Sequence, residues 1–588
     1  MAKRRGVRIV LTLIVLGVVI SVVSVALMVM AVSGEPSVPR SATLVLEPGG
    51  SLPELDSNDV LAQLFDRPSG TVRGLVDALR KAGRDTRVHT VLLRPSTLDL
   101  PYWGKVQELR DAVEAFRASG KTVVAFLEYG GDREYYLASA ADRVYLLPTS
   151  PLDLTGVASY EVFLRGALDR LGVYPDYLAV GDYKAAPNQY TETGFTETHR
   201  EMAESLNRDM YDQLVSGIAR SRQLEPEAVR ALLARGPLGA QDALAAGLVD
   251  GLAYEDQLAA EMPELGERDS DGRISAAAYG RTSPASAGFR PSSRIAVLYA
   301  VGIIASGRGG YDPLNGAVIG SDAFVDEIRR VREDDSVRAI VLRIDSPGGS
   351  AVASDVIWRE LMLAREEDPS RPLIASMSDL AASGGYYIAM AAEAIVAQPG
   401  TLTGSIGVYG GKLVLGGALD KLDVGHETVA SSPGATIYSP FEPFSPDQRA
   451  RLLDYMESFY DTFVGKAAEA RGVTPTDIDA VAGGRVWTGR QALERGLVDA
   501  LGGLDVAVAM AKERAGIPAE EDVELVVYPT RRGLLEALTR PFDAGGAGAL
   551  GGLVGGRAEQ RAVAALTAPA RLFRRGEPLA LMPFTFVR

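Results

Sequence analysis

Glu134-Tyr135-Tyr136-Leu137-Ala138-Ser139-Ala140-Ala141-Asp142 returns later in the chain as Gly385-Tyr386-Tyr387-Ile388-Ala389-Met390-Ala391-Ala392-Glu393, a shift of 386 − 135 = 251 residues. Outward from this stretch the two copies keep step. Val88-His89-Thr90-Val91-Leu92-Leu93-Arg94 answers to Val337-Arg338-Ala339-Ile340-Val341-Leu342-Arg343, and Gly166-Ala167-Leu168-Asp169-Arg170-Leu171 to Gly417-Ala418-Leu419-Asp420-Lys421-Leu422. Gly247-Leu248-Val249-Asp250 answers to Gly496-Leu497-Val498-Asp499. A chain of 588 residues is too long for one hydrophobic core, and the repeat resolves it into two copies of one fold. At the 251-residue shift Ser383 stands opposite Asp132, and Lys184 opposite Ala435. Each copy keeps a reactive residue that the other lacks, so the two are expected to build one active site between them.

Apolar, β-rich runs at 90–93 and 122–126 flank a helical period at 105–118, and this alternation predicts parallel β-α-β units. The second copy reopens with a strand at 295–298. Helices at 327–332 and 354–365 then alternate with strands at 339–344 and 373–376, with Ser354 as N-cap of the second helix. The stretch 386–395 has helical character, and 177–180 reads as a strand. We place a cytoplasmic basic segment at 1–8, a membrane span at 9–32, the first copy at 42–265 and a Gly/Ser/Asp/Pro-rich connection at 266–293. The second copy follows at 294–516 and a C-terminal extension at 517–588, whose Gly/Ala/Leu-rich part 543–557 has no assigned role.

Lys3, Arg4, Arg5 and Arg8 precede a run at 9–32 that carries no charge and only Thr12, Ser21 and Ser24 as polar breaks. At ~1.5 Å per residue such a helix exceeds the ~30 Å hydrocarbon core. It is also longer than the roughly 7–15 apolar residues of a cleaved signal peptide, which favours a retained single-pass anchor. The basic cluster then stays in the cytoplasm and the bulk of the chain lies on the extracytoplasmic side of the cell's inner membrane. The net charge of −15 gives no support for nucleic-acid binding. The absence of cysteine removes thiol nucleophiles, thiolate metal sites and disulfides.

Ser383 lies in Ser378-Asp379-Leu380-Ala381-Ala382-Ser383-Gly384-Gly385-Tyr386-Tyr387, between a strand-like run and a helical one. Taken alone it reads as an N-cap serine. Gly384 and Gly385 nevertheless let a substrate approach the backbone, where free amides can face a developing oxyanion. Arg343-Ile344-Asp345-Ser346-Pro347-Gly348-Gly349-Ser350 supplies a second set of candidate amides at a strand end, whereas the first copy reads Arg94-Pro95-Ser96-Thr97 and has neither glycine. The copy that keeps the serine also keeps the candidate donors. Of the three histidines, His89 reads as an edge residue, His199 as solvated and His426 as a loop residue without a partner pattern, so a Ser-His-Asp triad is disfavoured. Lys184, in Val180-Gly181-Asp182-Tyr183-Lys184-Ala185-Ala186-Pro187, is the alternative base, provided that burial destabilises its ammonium.

These stretches, with Gly404-Ser405-Ile406-Gly407-Val408, resemble the signal peptide peptidase A family (protease IV, peptidase family S49) in its long, duplicated form. The resemblance runs from the anchor to about Gly516 and is looser around Ala185-Ala186-Pro187-Asn188. It implies a Ser/Lys dyad of Ser383 as nucleophile and Lys184 as general base, with Ser405 orienting the lysine. The oxyanion donors it implies are Gly384 and one of Gly348 or Gly349. It also implies an α/β fold of two tandem crotonase- and Clp-protease-like β-β-α superhelical domains, and assembly into a homotetramer on the membrane. The substrates it implies are cleaved signal peptides, and it implies no metal or cofactor. Two rivals stand beside it. An acyl-CoA enzyme of crotonase fold would need a basic nucleotide site and catalytic carboxylates. A non-catalytic membrane scaffold would leave Ser383, Lys184 and the glycines without a role.

Overall fold

The β-branched runs of the first copy become strands and its amphipathic runs helices. In chain order these are β1 (Ala42–Leu46), α1 (Val72–Arg84), β2 (Val88–Leu93), α2 (Gly104–Ala118), β3 (Thr122–Leu127), α3 (Asp132–Ala138) and β4 (Arg143–Leu146). β5 (Tyr174–Val180), α4 (Glu197–Arg222), β6 (Gly251–Leu252) and β7 (Arg273–Ser275) follow. Six of the strands form one sheet in the order β7-β1-β2-β3-β4-β6, every neighbour parallel. A parallel sheet is covered on both faces, which is why β2 and β3 are nearly continuous runs of buried residues. The structure is a computed structural model and describes residues 16–17, 35–55, 70–265, 272–312, 316–529, 573, 577–583 and 586–587.

The second copy repeats the plan with β8 (Ser293–Val301), β9 (Ile303–Ala305), α5 (Ser321–Arg332), β10 (Val337–Ser346), β11 (Gly348–Ser350), α6 (Ala351–Glu367), β12 (Leu373–Ala382) and α7 (Gly384–Ala389). β13 (Ala394–Ala397), β14 (Leu402–Gly404), β15 (Val408–Val414), α8 (Pro446–Arg471), β16 (Val486–Thr488) and β17 (Val523–Tyr528) come next, and β18 (Leu579–Leu581) lies near the C terminus. The main path of its sheet is β16-β14-β12-β10-β8-β17. The duplication extends to single hydrogen bonds. Tyr135 donates its hydroxyl to Leu248 O at 2.6 Å, and Tyr386 donates to Leu497 O at 3.0 Å. Arg222 grips Asp250 with two nitrogens, and Arg471 grips Asp499 in the same way.

A third sheet joins the copies. In it β9, β11, β18, β15 and β5 are successive neighbours, so a strand of the first copy closes a sheet of the second. β5 pairs antiparallel with β15 from Val180↔Val408 to Tyr174↔Val414. The copies also meet through buried charge. Arg343 on β10 holds Glu54 at 2.9 Å through two nitrogens and also contacts Glu108 on α2. Burial alone would raise the Glu54 carboxyl, but the Arg343 guanidinium overrides it and holds the pKa at about 2. Beside this cluster Lys105 Nζ lies 2.7 Å from Asp345. α2 can come this close because Gly104 has no side chain; a Cβ there would stand 2.7 Å from Ser378 O.

Several expectations need correction. Ser354 is not the N-cap of α6. Ser350 is, accepting from Ala353 N at 3.0 Å, and Ser354 sits one turn inside, donating to Ser350 O. The helical stretch 386–395 begins at Gly384 and stops at Ala389, because Ala394–Ala397 is taken into the sheet as β13 beside β12. The connection 266–293 is not plain linker: its residues 273–275 form β7, which extends the first sheet beside β1. Three residues are too few for a periodic signal. Likewise β17 lies beyond 516 yet pairs parallel with β8 in the second sheet. The span at 9–32, apart from Leu16 and Gly17, and the stretch 543–557 lie outside the described residues. Among the described residues no helix is long and apolar enough to cross a membrane.

Candidate active site

β12 runs straight from the buried sheet to Ser383, and α7 starts at the next residue. The turn between them is tight. Ser383 takes φ 55° and ψ −112°, a region that side-chain-bearing residues rarely visit. It is held there by its own amide, which donates to Gly404 O at 2.7 Å. Although Ser383 occupies the N-cap position, its hydroxyl caps no backbone amide, so the capping reading fails and the oxygen is free for other chemistry.

What meets that oxygen comes from the other copy. Lys184 Nζ lies 2.8 Å from Ser383 Oγ, 3.0 Å from Ser405 Oγ and 3.0 Å from Ser405 O. Lys184 is 2% exposed, and Ser383 and Ser405 are fully buried. Burial pushes the Lys184 amine well below its ordinary range, and no carboxylate offsets this. A neutral amine has two protons and one lone pair. With the two Ser405 oxygens accepting the protons, the lone pair is left facing the Ser383 hydroxyl.

Delivery of the lysine depends on residues that the sequence reading passed over. β5 carries the chain into the second copy, and Tyr183 N then donates to Gly483 O at 2.8 Å. Gly484 lies directly under the lysine; a Cβ on it would come within 2.5 Å of Lys184 Cα. Gly484 N donates to Ile406 O at 2.7 Å, and Ser405 N donates to Arg485 O at 2.7 Å. One Gly-Gly turn thus fixes both Lys184 and Ser405. The dipeptide in Ala482-Gly483-Gly484-Arg485 was the available signal, but it reads as an ordinary turn without knowledge of what packs on it.

The glycine amides converge beside Ser383. A Cβ on Gly348, whose φ is +100°, would stand 2.6 Å from Gly384 N, and a Cβ on Gly384 would stand 3.1 Å from Gly349 N. Gly348 N is already engaged by Ser346 Oγ at 3.2 Å. Between the two candidates this favours Gly349, whose partner in the sheet is Ala580 of β18.

The first copy shows what becomes of the site without the serine. Asp132 opens α3 where Ser383 precedes α7, and its carboxylate accepts from Thr155 N at 3.1 Å and Gly156 N at 3.0 Å. The histidines are placed otherwise than expected. His199 is not solvated: it is 2% exposed, with Nε2 2.8 Å from a Glu161 carboxylate oxygen and its ring against Phe195. The polar helix that carries it packs this face inward. His89 is exposed, yet β2 is flanked by β1 and β3 and is no edge strand. His426 stacks on Phe441 with ring centroids 4.8 Å apart. Among the described residues no cluster of His, Cys, Asp or Glu could hold a metal ion.

Residues 115–268 and 365–518 each match Peptidase family S49, one match in each copy. The chloroplastic serine protease SPPA of Arabidopsis thaliana is 35% identical over 453 residues, which cover 76% of this chain and 66% of that protein. Protease 4 of Salmonella typhi is 33% identical over 453 residues, covering 75% of this chain and 71% of its own length. Among solved structures, a serine-to-alanine mutant of the 1510-N membrane-bound stomatin-specific protease is similar at 17% identity and a TM-score of 0.25, covering 41% of this chain and 99% of that one. With one match in each copy and such relatives across three quarters of its length, the chain belongs to peptidase family S49 and is a serine peptidase.

Proposed function

We propose that the chain is a membrane-anchored serine endopeptidase in which Ser383 of the second copy and Lys184 of the first form a catalytic dyad. The observation that carries this is the 2.8 Å contact between Lys184 Nζ and Ser383 Oγ, made by a buried amine with no carboxylate to hold its charge. Neutral Lys184 takes the Ser383 proton while Oγ attacks the peptide carbonyl carbon. The amides of Gly384 and Gly349 hold the oxyanion that forms. Lys184 then gives the proton to the departing amine, and water hydrolyses the acyl-enzyme by the same relay. Ser405 orients the lysine.

In this reading each copy, 42–265 and 294–516, is a crotonase- and Clp-protease-like β-β-α superhelical unit. Residues 9–32 anchor the chain in the cell's inner membrane, and the working form is a homotetramer. The substrates are cleaved signal peptides and similar apolar peptides. An extended chain suits the site because its amides can join a sheet beside Ser383. No step calls for a metal or cofactor.

The test is hydrolysis of an apolar peptide by the detergent-solubilised protein and by its Ser383→Ala and Lys184→Ala variants. Both substitutions are expected to lower turnover by at least about 10²-fold. Turnover close to that of the unaltered protein in either variant overturns the dyad, and inactivity of the unaltered protein on all peptides favours the scaffold.

A further inference from the structure

The third sheet contains a strand from neither repeat. β18, from the last ten residues of the chain, lies between β11, the Gly348-Gly349 strand, and β15. It runs antiparallel to β11 with Gly348↔Leu581, Gly349↔Ala580 and Ser350↔Leu579, and touches β15 through Tyr409↔Leu579. Met582 N donates to Pro347 O at 2.9 Å, and Ala351 N to Pro578 O at 3.2 Å. In an antiparallel ladder hydrogen-bonded pairs alternate with non-bonded ones. Gly349 and Ala580, midway between those two bonds, are therefore a bonded pair, and the Gly349 amide is aimed at the Ala580 carbonyl. That carbonyl oxygen would be overlapped by a Cβ on Gly348 and would lie 3.2 Å from a Cβ on Gly384. It occupies the space where the candidate oxyanion donors converge.

The side chains are seated as a bound peptide's would be. Leu579 and Leu581 pack with Ala186, Tyr177 and Tyr409, two residues beyond Lys184 in the case of Ala186. Met582 is buried in one apolar cluster with Met202, Leu402 and Val486. Ala580 and Leu581 are at most 1% exposed.

We propose that residues 577–583 are an intramolecular substrate mimic: they fill the peptide slot between β11 and β15, with Ala580 as the residue whose carbonyl faces the glycine amides. A peptide substrate and this strand compete for the same β11 edge, so the tail must leave before the site can turn over. The register makes Ala580–Leu581 the bond presented to Ser383. If it is cut, Ser383 Oγ joins the Ala580 carbonyl carbon and the Leu581 nitrogen leaves with the proton relayed by Lys184. Water then frees the Ala580 carboxylate. The seating also assigns specificity: a small residue on the acyl side of the bond and leucine-sized residues on either side of it.

This inference rests on the Ser383–Lys184 reading, and its test separates the two. The full chain is compared with a chain ending at Gly576 and with a Leu579→Asp/Leu581→Asp variant in hydrolysis of an apolar fluorogenic peptide. Both altered proteins are expected to show KM lowered by tenfold or more at similar kcat. A synthetic peptide of residues 577–583 is expected to inhibit the shortened chain competitively. Its fluorescently labelled form is expected to bind the shortened Ser383→Ala protein, a readout that needs no catalysis. Loss of all turnover with peptide binding retained would sink the dyad but leave the slot standing. Unchanged KM in variants that keep the Tm of the full chain, or no peptide binding, overturns the proposal. Intact mass fixes the register: a full-length chain or one cut only after Ala580 agrees, and a Ser383-dependent cut at any other bond within 577–583 overturns it.

Discussion

Replacing Lys184 with methionine keeps an unbranched side chain one atom shorter and removes its titration. The unaltered lysine is 2% exposed, and burial lowers its pKa well below the ordinary 10.5. Between the folded and unfolded pKa values the unfolded chain carries a proton on this residue that the folded chain does not. Unfolding therefore takes up a proton, and stability rises with pH by about 1.4 kcal/mol per unit. Below the folded pKa both states are charged and the slope vanishes. Methionine has no such dependence, and all other groups titrate alike in the two proteins. Across the window between the folded pKa and the ordinary 10.5, the unaltered protein should gain about 1.4 kcal/mol per pH unit on the Lys184→Met variant, the gain tapering as the unfolded lysine discharges near the top. Loss of the contacts to Ser383 and Ser405 shifts the variant by a constant and leaves this slope alone. Urea unfolding followed by the fluorescence of Trp103, Trp358 and Trp487 measures the gap at each pH. The same protonation governs turnover: kcat/KM of the unaltered protein should fall tenfold per unit on the acid side, and the variant should lose about 10²-fold or more. Stability curves that run parallel in pH for the two proteins would refute the argument, because they would mean that Lys184 carries the same charge folded and unfolded.

Ser405→Ala leaves Lys184 with the Ser405 carbonyl and removes one 3.0 Å partner; kcat should fall by about tenfold, the worth of one hydrogen bond, with KM unchanged in steady-state assays. Gly348→Ala puts a methyl group where the Ala580 carbonyl oxygen sits and asks alanine to hold a φ of +100°. Turnover should drop by about 10²-fold, as for loss of an oxyanion donor, and the Tm should fall as well, because the φ of +100° and backbone contacts under 3 Å strain the folded chain. Arg343→Met strands the buried Glu54 carboxylate between the copies and should destabilise by about 3–5 kcal/mol in thermal or urea unfolding.

The parts of this architecture that the sequence carried openly are those set by local patterning. The runs that became β2, β3, β10 and β12 are apolar because parallel strands are covered on both faces, and they were readable one by one. The asymmetry of the repeat and the family likeness pointed to Ser383 and Lys184, which the fold brings to 2.8 Å, and to the glycines beside them. What stayed hidden depends on partners distant in the chain. β7 has only three residues and exists because β1 offers it an edge. Gly483 and Gly484 matter only because Lys184 lands on them. His199 looks like a surface residue in a polar helix, and only the tertiary fold brings Glu161 and Phe195 around it. The C-terminal strand shows no alternation that would announce it, since both of its faces are buried.

The division of the proposed dyad between copies has a physical consequence beyond gene duplication. A lysine stays neutral only where no carboxylate can reach it, yet the junction of these copies is rich in carboxylates: Glu54, Glu108, Asp345 and Asp379 all lie there. Each of these is taken up by a cation other than Lys184, with Arg343 on the two glutamates and Lys105 on the two aspartates. The junction thus holds its ionic pairing in one cluster and the Lys184 amine in another, the latter surrounded by serine hydroxyls and backbone carbonyl. In the first copy Asp132 occupies the place of Ser383 and is consumed by Thr155 and Gly156. A carboxylate at that position in the second copy would pair with Lys184 and return it to its charged form. Serine at 383 and aspartate at 132 are therefore not interchangeable remnants of one ancestor: the lysine requires the first and would be silenced by the second.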